Sequence, residues 1–282
     1  MSYKILSGKE LSAQILNKIT NQVEHLENKR KPCLAVVLVG NDPASEVYVR
    51  NKKNACARVG IKSLEYKLLN AINQIELLDL IHKLNQDNDV DGILVQLPLP
   101  KHIDSKLIID NIAPNKDVDG FHRYNMGSLT LQDPHICPCI PHGVMYMLDS
   151  ISTQYHGLHA VILGASNIVG RPMALELMNR GATVTVCNSK TKNLSSITKT
   201  ADILITAVGR PKLIKADWIN PGAIVIDVGI NRLDDGTLCG DVDFEQVAPL
   251  TSYITPVPGG VGPMTIAMLI SNTMRCYEIN QQ

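Results

Sequence analysis

Tyr48 and Lys52 stand four residues apart in the stretch ASEVYVRNKKNACARVGI, residues 44–61. On a helix that spacing puts both on one face, one turn apart. A lysine withdrawn from water can take up a proton near neutral pH, because desolvation disfavours the ammonium form. The same turn reads equally well as a solvated basic face, with Lys52 beside Arg50 and Lys53. Two more groups could share its surroundings. Gln96 lies at the end of the apolar run DGILVQL, 91–97, and in open α/β sheets ligands bind beyond such strand ends. Asp119 lies in the polar turn Asp117-Val118-Asp119-Gly120 after Pro114. A lysine, an amide, a carboxylate and a phenol on these elements would converge on one cleft. Singly, each has a plain structural reading: Lys52 on the surface, Gln96 capping a strand, Asp119 holding a turn.

A second group is of another kind. The run LHAVIL, 158–163, leads into Gly164-Ala165-Ser166-Asn167-Ile168-Val169-Gly170-Arg171-Pro172 and then a helix over 170–180. Strand, tight turn and helix N-terminus direct backbone N–H groups and the positive end of the helix dipole at a pyrophosphate. The pattern is not a strict G-x-G-x-x-G, since Ser166 takes the second glycine position and Val169 the third, and a plain strand-to-helix turn is the alternative. NAD enzymes of this architecture place a carboxylate about 20 residues further on for the ribose 2′-hydroxyl. Here the next strand ends Cys187-Asn188-Ser189-Lys190-Thr191, with a hydroxyl and a cation and no acid. That favours NADP over NAD, unless Lys190 is only a solvated surface lysine.

The elements that must position these groups form two alternations. A strand at 34–39, the helix with Tyr48 and Lys52 ending at Gly60, a strand near 61–68, a helix near 73–87 with Ile75, Leu78 and Leu84 inward, and the strand 91–97 make β-α-β-α-β. That order implies a parallel sheet with helices packed on it. Residues 111–143, rich in proline, read as the connection between domains. Strands at 158–163, 182–187, 202–208 and 223–228, with the helix 170–180, make a second doubly wound unit, and a last apolar helix begins near Pro263. The fold expected is α/β with two domains, an N-terminal α/β catalytic domain and a C-terminal Rossmann-type doubly wound parallel sheet. Residues 1–139, joined by a C-terminal helix over 266–282, would form the first domain and 140–265 the second.

Composition narrows the function. The chain has 282 residues, 27 basic and 27 acidic, with only two Phe and one Trp. No positive field and no aromatic platform point to nucleic acid. Seven scattered cysteines suit free thiols in a reducing compartment better than a disulfide framework. The N-terminus has no apolar signal-peptide core. Residues 246–274 carry no Asp, Glu, Lys, Arg or His, but four prolines and three glycines interrupt them, so a strand, a glycine loop and a buried helix are expected and no membrane span. A metal site in His135-Ile136-Cys137-Pro138-Cys139-Ile140-Pro141-His142 is disfavoured, since structural zinc sites space their cysteines wider.

Taken together, Tyr48-x-x-x-Lys52 with Cys56 and Gly60-Ile61, VQLPLP at 95–100, PNKDVDGFH at 114–122, GASNIVGRP at 164–172, AIVIDVGIN at 223–231 and PVPGGVGPMT at 256–265 carry a resemblance. The chain resembles, over roughly residues 3–277, the bifunctional methylenetetrahydrofolate dehydrogenase / methenyltetrahydrofolate cyclohydrolase family. The resemblance implies NADP-dependent oxidation of 5,10-methylenetetrahydrofolate to the methenyl cation, then hydrolysis to 10-formyltetrahydrofolate. It implies Lys52 as catalytic lysine, Gln96 as its partner, Tyr48 against the folate and Asp119 holding the pterin. Val95, Leu97, Pro258, Gly259 and Gly262 would line the folate site, and Gly164, Ala165, Ser166, Ser189 and Ile230 would bind NADP. It further implies a cytoplasmic homodimer that pairs through the nucleotide domain and feeds purine, histidine and methionine biosynthesis, with no nucleic-acid or membrane partner. Two positions depart from the family pattern: Ala165 stands where Arg is frequent, which removes one expected 2′-phosphate contact, and Ile140 stands where Thr is common. The rivals are another two-domain Rossmann dehydrogenase, of amino-acid or shikimate type, and a non-catalytic NADPH-binding regulatory protein. A formate–folate ligase activity is disfavoured, because the chain has no G-x-x-x-x-G-K-[ST] loop.

Overall fold

The computed structural model describes residues 3–26 and 29–281. In chain order the first half contains β1 Lys4–Ile5, α1 Gly8–Glu24, β2 Cys33–Val39, α2 Pro43–Val59, β3 Lys62–Leu68, α3 Gln74–Gln86, β4 Gly92–Val95, α4 Ser105–Asp110, α5 Arg123–Thr130 and α6 Cys139–Ser150. The second half contains β5 His159–Leu163, α7 Gly170–Asn179, β6 Thr183–Cys187, α8 Leu194–Thr198, β7 Ile203–Thr206, β8 Ile224–Asp227, β9 Asn231–Arg232, β10 Leu238–Cys239, α9 Phe244–Val247, β11 Tyr253–Ile254 and α10 Val261–Asn280. Two compact units emerge: Ala13–Cys139 with Ile266–Gln282, and Ile140–Thr265 with Met1–Ser12. The N-terminal stretch joins the second unit because β1, too short for a sequence pattern to reveal, pairs with β11.

The first unit is built on a three-stranded parallel sheet in the order β3-β2-β4. All seven residues of β2, CLAVVLV, are buried, as a strand covered on both faces requires. α2 starts with Pro43 in its first turn and with the Asp42 carboxylate accepting from Ser45 N at 2.8 Å. It stops at Gly60, whose φ of 81° closes the C-cap. α3 opens on a capping box between Asn73 and Glu76. Its buried stripe is Leu77, Ile81 and Leu84, whereas Ile75, expected inward, is 70% exposed. The helical period explains the correction: two residues turn the helix by about 200°, so Ile75 lies nearly opposite Leu77.

Residues 111–143 are more than a connection. They hold α5 and the start of α6. His122 caps α5, its Nδ1 accepting from Tyr124 N at 3.0 Å. Pro141 falls in the first turn of α6, where a missing N–H costs nothing. β4 covers only Gly92–Val95, shorter than the run 91–97, because Pro98 has no N–H to continue a ladder.

The second unit is a six-stranded, all-parallel sheet in the order β1-β11-β8-β7-β5-β6, together with the small antiparallel ladder β9-β10. Val161, Leu163, Leu204, Val225 and Ile254 form its buried centre. α10 starts at Val261, so Pro263 lies in its first turn. Among the described residues no helix is long and apolar enough to cross a membrane. All seven cysteines are free thiols.

Candidate active site and cofactor pocket

Of the three basic residues on its turn of α2, Lys52 alone turns inward. It is 8% exposed, while Arg50 and Lys53 face solvent and Lys53 pairs with Glu65 at 3.2 Å. Lys52 Nζ donates to Gln96 Oε1 at 3.0 Å. The Gln96 amide is held in turn, since its Nε2 donates to Leu97 O at 2.7 Å and its backbone N donates to Val37 O at 2.9 Å. The pair therefore links helix and strand end across 44 positions of sequence, and both groups have a defined orientation.

The two acids of the Asp-Val-Asp turn divide the work that sequence left open. Asp117 holds the turn: its carboxylate accepts from His122 N at 2.8 Å, Asn125 Nδ2 at 3.0 Å and Gly120 N at 3.2 Å. Asp119 makes no side-chain hydrogen bond among the described residues. Loss of water pushes its carboxyl up to about 6, with the Lys52 cation opposing and Asp117 reinforcing. An uncommitted carboxylate with a neighbouring cation is free to receive donors from a ligand. Asn272, on α10, secures the surrounding backbone by donating to Val118 O at 2.8 Å and to Cys137 O at 2.9 Å.

Tyr48 departs from the expectation of an inward ring. It is 43% exposed and, among the described residues, its hydroxyl has no hydrogen-bond partner. Lys52 is drawn in by Gln96, whereas nothing anchors the phenol, so an i, i+4 spacing shares a face without sharing burial. The open ring still offers a flat surface to a planar heterocycle. Val95 directs its side chain into the sheet core, so only its backbone can meet a ligand. Pro258, Gly259 and Gly262 belong to the second unit with Ile230, whose Cδ1 lies 3.6 Å from where a Gly262 Cβ would sit.

The second unit holds a cavity of about 430 Å³ at the C-terminal ends of β5, β6 and β7. Gly164, Ala165, Ser166 and Ser189 line it, as do Asn188 and Arg210; Lys190 and Ile230 do not. The loop is one that only glycine permits. Gly164 has φ 114° and a Cβ there would lie 2.3 Å from Ala207 O, while a Cβ on Gly170 would lie 1.9 Å from Gly164 O. Backbone so close to the first turn of α7 leaves N–H groups open to a phosphate, and the cavity accommodates a nucleotide, so the residues present fit NADP.

Sequence reasoning missed the acids that hold this pocket. The Asp241 carboxylate accepts from Val208 N at 2.7 Å, Arg210 N at 2.9 Å, Gly209 N at 3.2 Å and Asn231 Nδ2 at 3.0 Å. Asp227, at the end of β8, accepts from Val242 N at 2.8 Å, Gly229 N at 2.9 Å and Asp241 N at 3.1 Å. Burial pushes the Asp227 carboxyl up to about 6, against those donors and with the Asp241 charge adding to the rise. An acid closing the apolar run AIVID was the available signal.

Comparison with known proteins agrees with this arrangement. A family model described as "Tetrahydrofolate dehydrogenase/cyclohydrolase, catalytic domain" matches residues 6–119, and one described as "Tetrahydrofolate dehydrogenase/cyclohydrolase, NAD(P)-binding domain" matches 138–281. The chain is 56% identical to the "Bifunctional protein FolD" of Neisseria gonorrhoeae over 282 residues, 99% of each chain. It is similar to the bifunctional FolD methylenetetrahydrofolate dehydrogenase/cyclohydrolase of Campylobacter jejuni, with a TM-score of 0.97, 53% identity and 99% of each chain covered. It is also similar to the Trypanosoma brucei enzyme solved with NADP and an inhibitor, with a TM-score of 0.96, 35% identity, and 100% and 99% of the two chains covered. Matched by both models and by a relative of this identity across its length, the chain belongs to the tetrahydrofolate dehydrogenase/cyclohydrolase family.

Proposed function

We propose that Lys52, Gln96 and Asp119 carry the folate chemistry of a bifunctional enzyme. It oxidises 5,10-methylenetetrahydrofolate to 5,10-methenyltetrahydrofolate with NADP+, then hydrolyses the product to 10-formyltetrahydrofolate. The observation that carries this reading is the buried Lys52 side chain on the fixed Gln96 amide, Nζ to Oε1 3.0 Å, beside an uncommitted carboxylate. A non-catalytic nucleotide-binding protein has no use for such a set, and another Rossmann dehydrogenase would share only the glycine loop.

NADP+ supplies the hydride acceptor. The oxidation leaves an amidinium whose charge two nitrogens share, so the protein's task is alignment and not proton removal. Asp119 accepts hydrogen bonds from the pterin and fixes its register, and Tyr48 gives the ring a face to lie on. Hydrolysis makes a different demand, because water must lose a proton as it attacks the cationic carbon. Lys52 Nζ, oriented by its hydrogen bond to Gln96 Oε1, stands ready to meet the attacking water. One proton of the water is relayed by way of Lys52 Nζ to N5 as the C–N5 bond breaks, and the adduct's hydroxyl proton leaves to solvent as the formyl C=O forms. Gly164, Ala165, Ser166 and Ser189 hold the cofactor. Pro258, Gly259, Gly262 and Ile230 line the ligand sites, and the backbone at Val95 and Leu97 edges the folate. Residues 13–139 with 266–282 serve as the folate domain, and 140–265 with the N-terminal 1–12 as the cofactor domain. The free thiols support a cytoplasmic setting, and pairing through the nucleotide-binding unit gives a homodimer.

The test is Lys52→Met. Cyclohydrolase turnover falls to the spontaneous rate, while dehydrogenase activity falls less completely. A variant that hydrolyses methenyltetrahydrofolate as fast as the parent removes Lys52 from the chemistry.

A further inference from the structure

The preference for NADP, which rests on the function just proposed, lacks an assigned cation. Ala165 brings none, and Lys190 lies outside the cavity with an exposed side chain, its backbone N spent on Asn188 Oδ1 at 2.9 Å. Among the residues that line the cavity, Arg210 is the single charged one. Among the described residues its guanidinium has no hydrogen-bond or ion-pair partner. Its backbone, by contrast, is pinned, since Arg210 N donates to the buried Asp241 carboxylate at 2.9 Å and the two preceding N–H groups donate to the same acid. The side chain therefore springs from a fixed base beside an open pocket.

Topology places that base within reach of the 2′ position. Ser189 follows the end of β6, where the ribose hydroxyls are read in this architecture. Arg210 follows the end of β7, and β6 and β7 flank β5 in the sheet. Two strand spacings separate them by roughly 10 Å, a gap that an extended arginine largely spans. Arginine matches a phosphate with a planar fork of donors, and no carboxylate lines the cavity to compete for it.

We propose that Arg210 is the specificity-determining cation for the 2′-phosphate of NADP, with the Ser189 hydroxyl as its partner, and that Lys190 is not. The assignment moves the cation from the end of β6 to the end of β7.

Calorimetric titration with adenosine 2′,5′-bisphosphate and with 5′-AMP isolates the extra phosphate. The parent binds the bisphosphate more tightly. Arg210→Ala and Arg210→Gln lower that ratio of affinities by about tenfold or more, the worth of one charged hydrogen bond, and Arg210→Lys retains part of it. The ratio of kcat/KM for NADP+ to that for NAD+ falls in parallel. Equal weakening of both nucleotides, or a larger loss in Lys190→Ala, overturns the assignment. A parent that binds the two nucleotides equally refutes the NADP reading itself, which keeps the two failures distinct. Thermal melting of both Arg210 variants separates loss of binding from loss of fold.

Discussion

Replacing Asp119 by Asn has opposite consequences for stability and for binding. In the folded protein its carboxyl stands at about 6, mainly through loss of water. An unfolded aspartate titrates at about 3.9. Between those values the folded chain holds more protons than the unfolded one, so stability falls as pH rises through the window from about 4 to 6. Above it the full cost of the buried charge is present, on the order of 2–3 kcal/mol for a shift of about two units. Asparagine carries no charge. Asp119→Asn therefore melts a few degrees above the parent at pH 7.5, and the difference closes below about pH 4. Binding moves the other way. A carboxylate receiving pterin donors loses a charged hydrogen bond in the variant, so the folate Kd rises about tenfold or more. For the parent only the ionised fraction binds well, and that fraction drops about tenfold from pH 7 to pH 5. The parent Kd for a non-reacting folate analogue, followed by calorimetry, rises by that factor over those two units. The variant Kd stays level, apart from the analogue's own titration, which the same experiment measures. A parent Kd that follows the variant at every pH, or a variant no more stable than the parent at pH 7.5, refutes the argument.

Gln96→Leu leaves Lys52 buried without its acceptor; cyclohydrolase turnover falls at least tenfold, about the worth of one charged hydrogen bond, and a stopped-flow trace of methenyl decay at the parental rate would show Gln96 to be a bystander. Gly164→Ala sets a methyl against Ala207 O at a nominal 2.3 Å, so the NADP+ KM rises at least about tenfold, and an unchanged NADPH fluorescence titration would contradict the loop's role. Asp241→Ala strips four donors of their acceptor and costs roughly 3 kcal/mol or more, lowering the Tm and raising the NADP+ KM together; denaturant titration measures the first and steady-state kinetics the second.

The apolar runs, the glycines and the prolines made the two alternations readable, because a strand covered on both faces can hardly be anything but an unbroken hydrophobic run. The end of α2 could be read to the residue, since Gly60 is a local stop signal for a helix. The glycine loop and the acid-free end of β6 pointed to a phosphorylated dinucleotide, and the six motifs pointed to the family. The strand expected ahead of the glycine loop is β11, but β1 escaped notice because two residues carry no period. Ile75 was misplaced because an apolar count says less about a helix than the phase of its stripe.

The local sequence determined which groups stand at strand ends and helix turns. It left open which of them face inward, and which distant residue each one meets. Lys52 turns away from Arg50 and Lys53 because Gln96, 44 positions later, is delivered to its side by a parallel crossover. Asp117 and Asp119 look alike in the sequence; only the donors folded around Asp117 make it the holder of the turn and leave Asp119 free. Arg210 comes to share a cavity with Ser189 because the sheet order sets their strands on either side of β5. Periodicity reports the face of an element, a local property. Burial and partnership depend on what the rest of the chain brings to that face, and tertiary packing decides it.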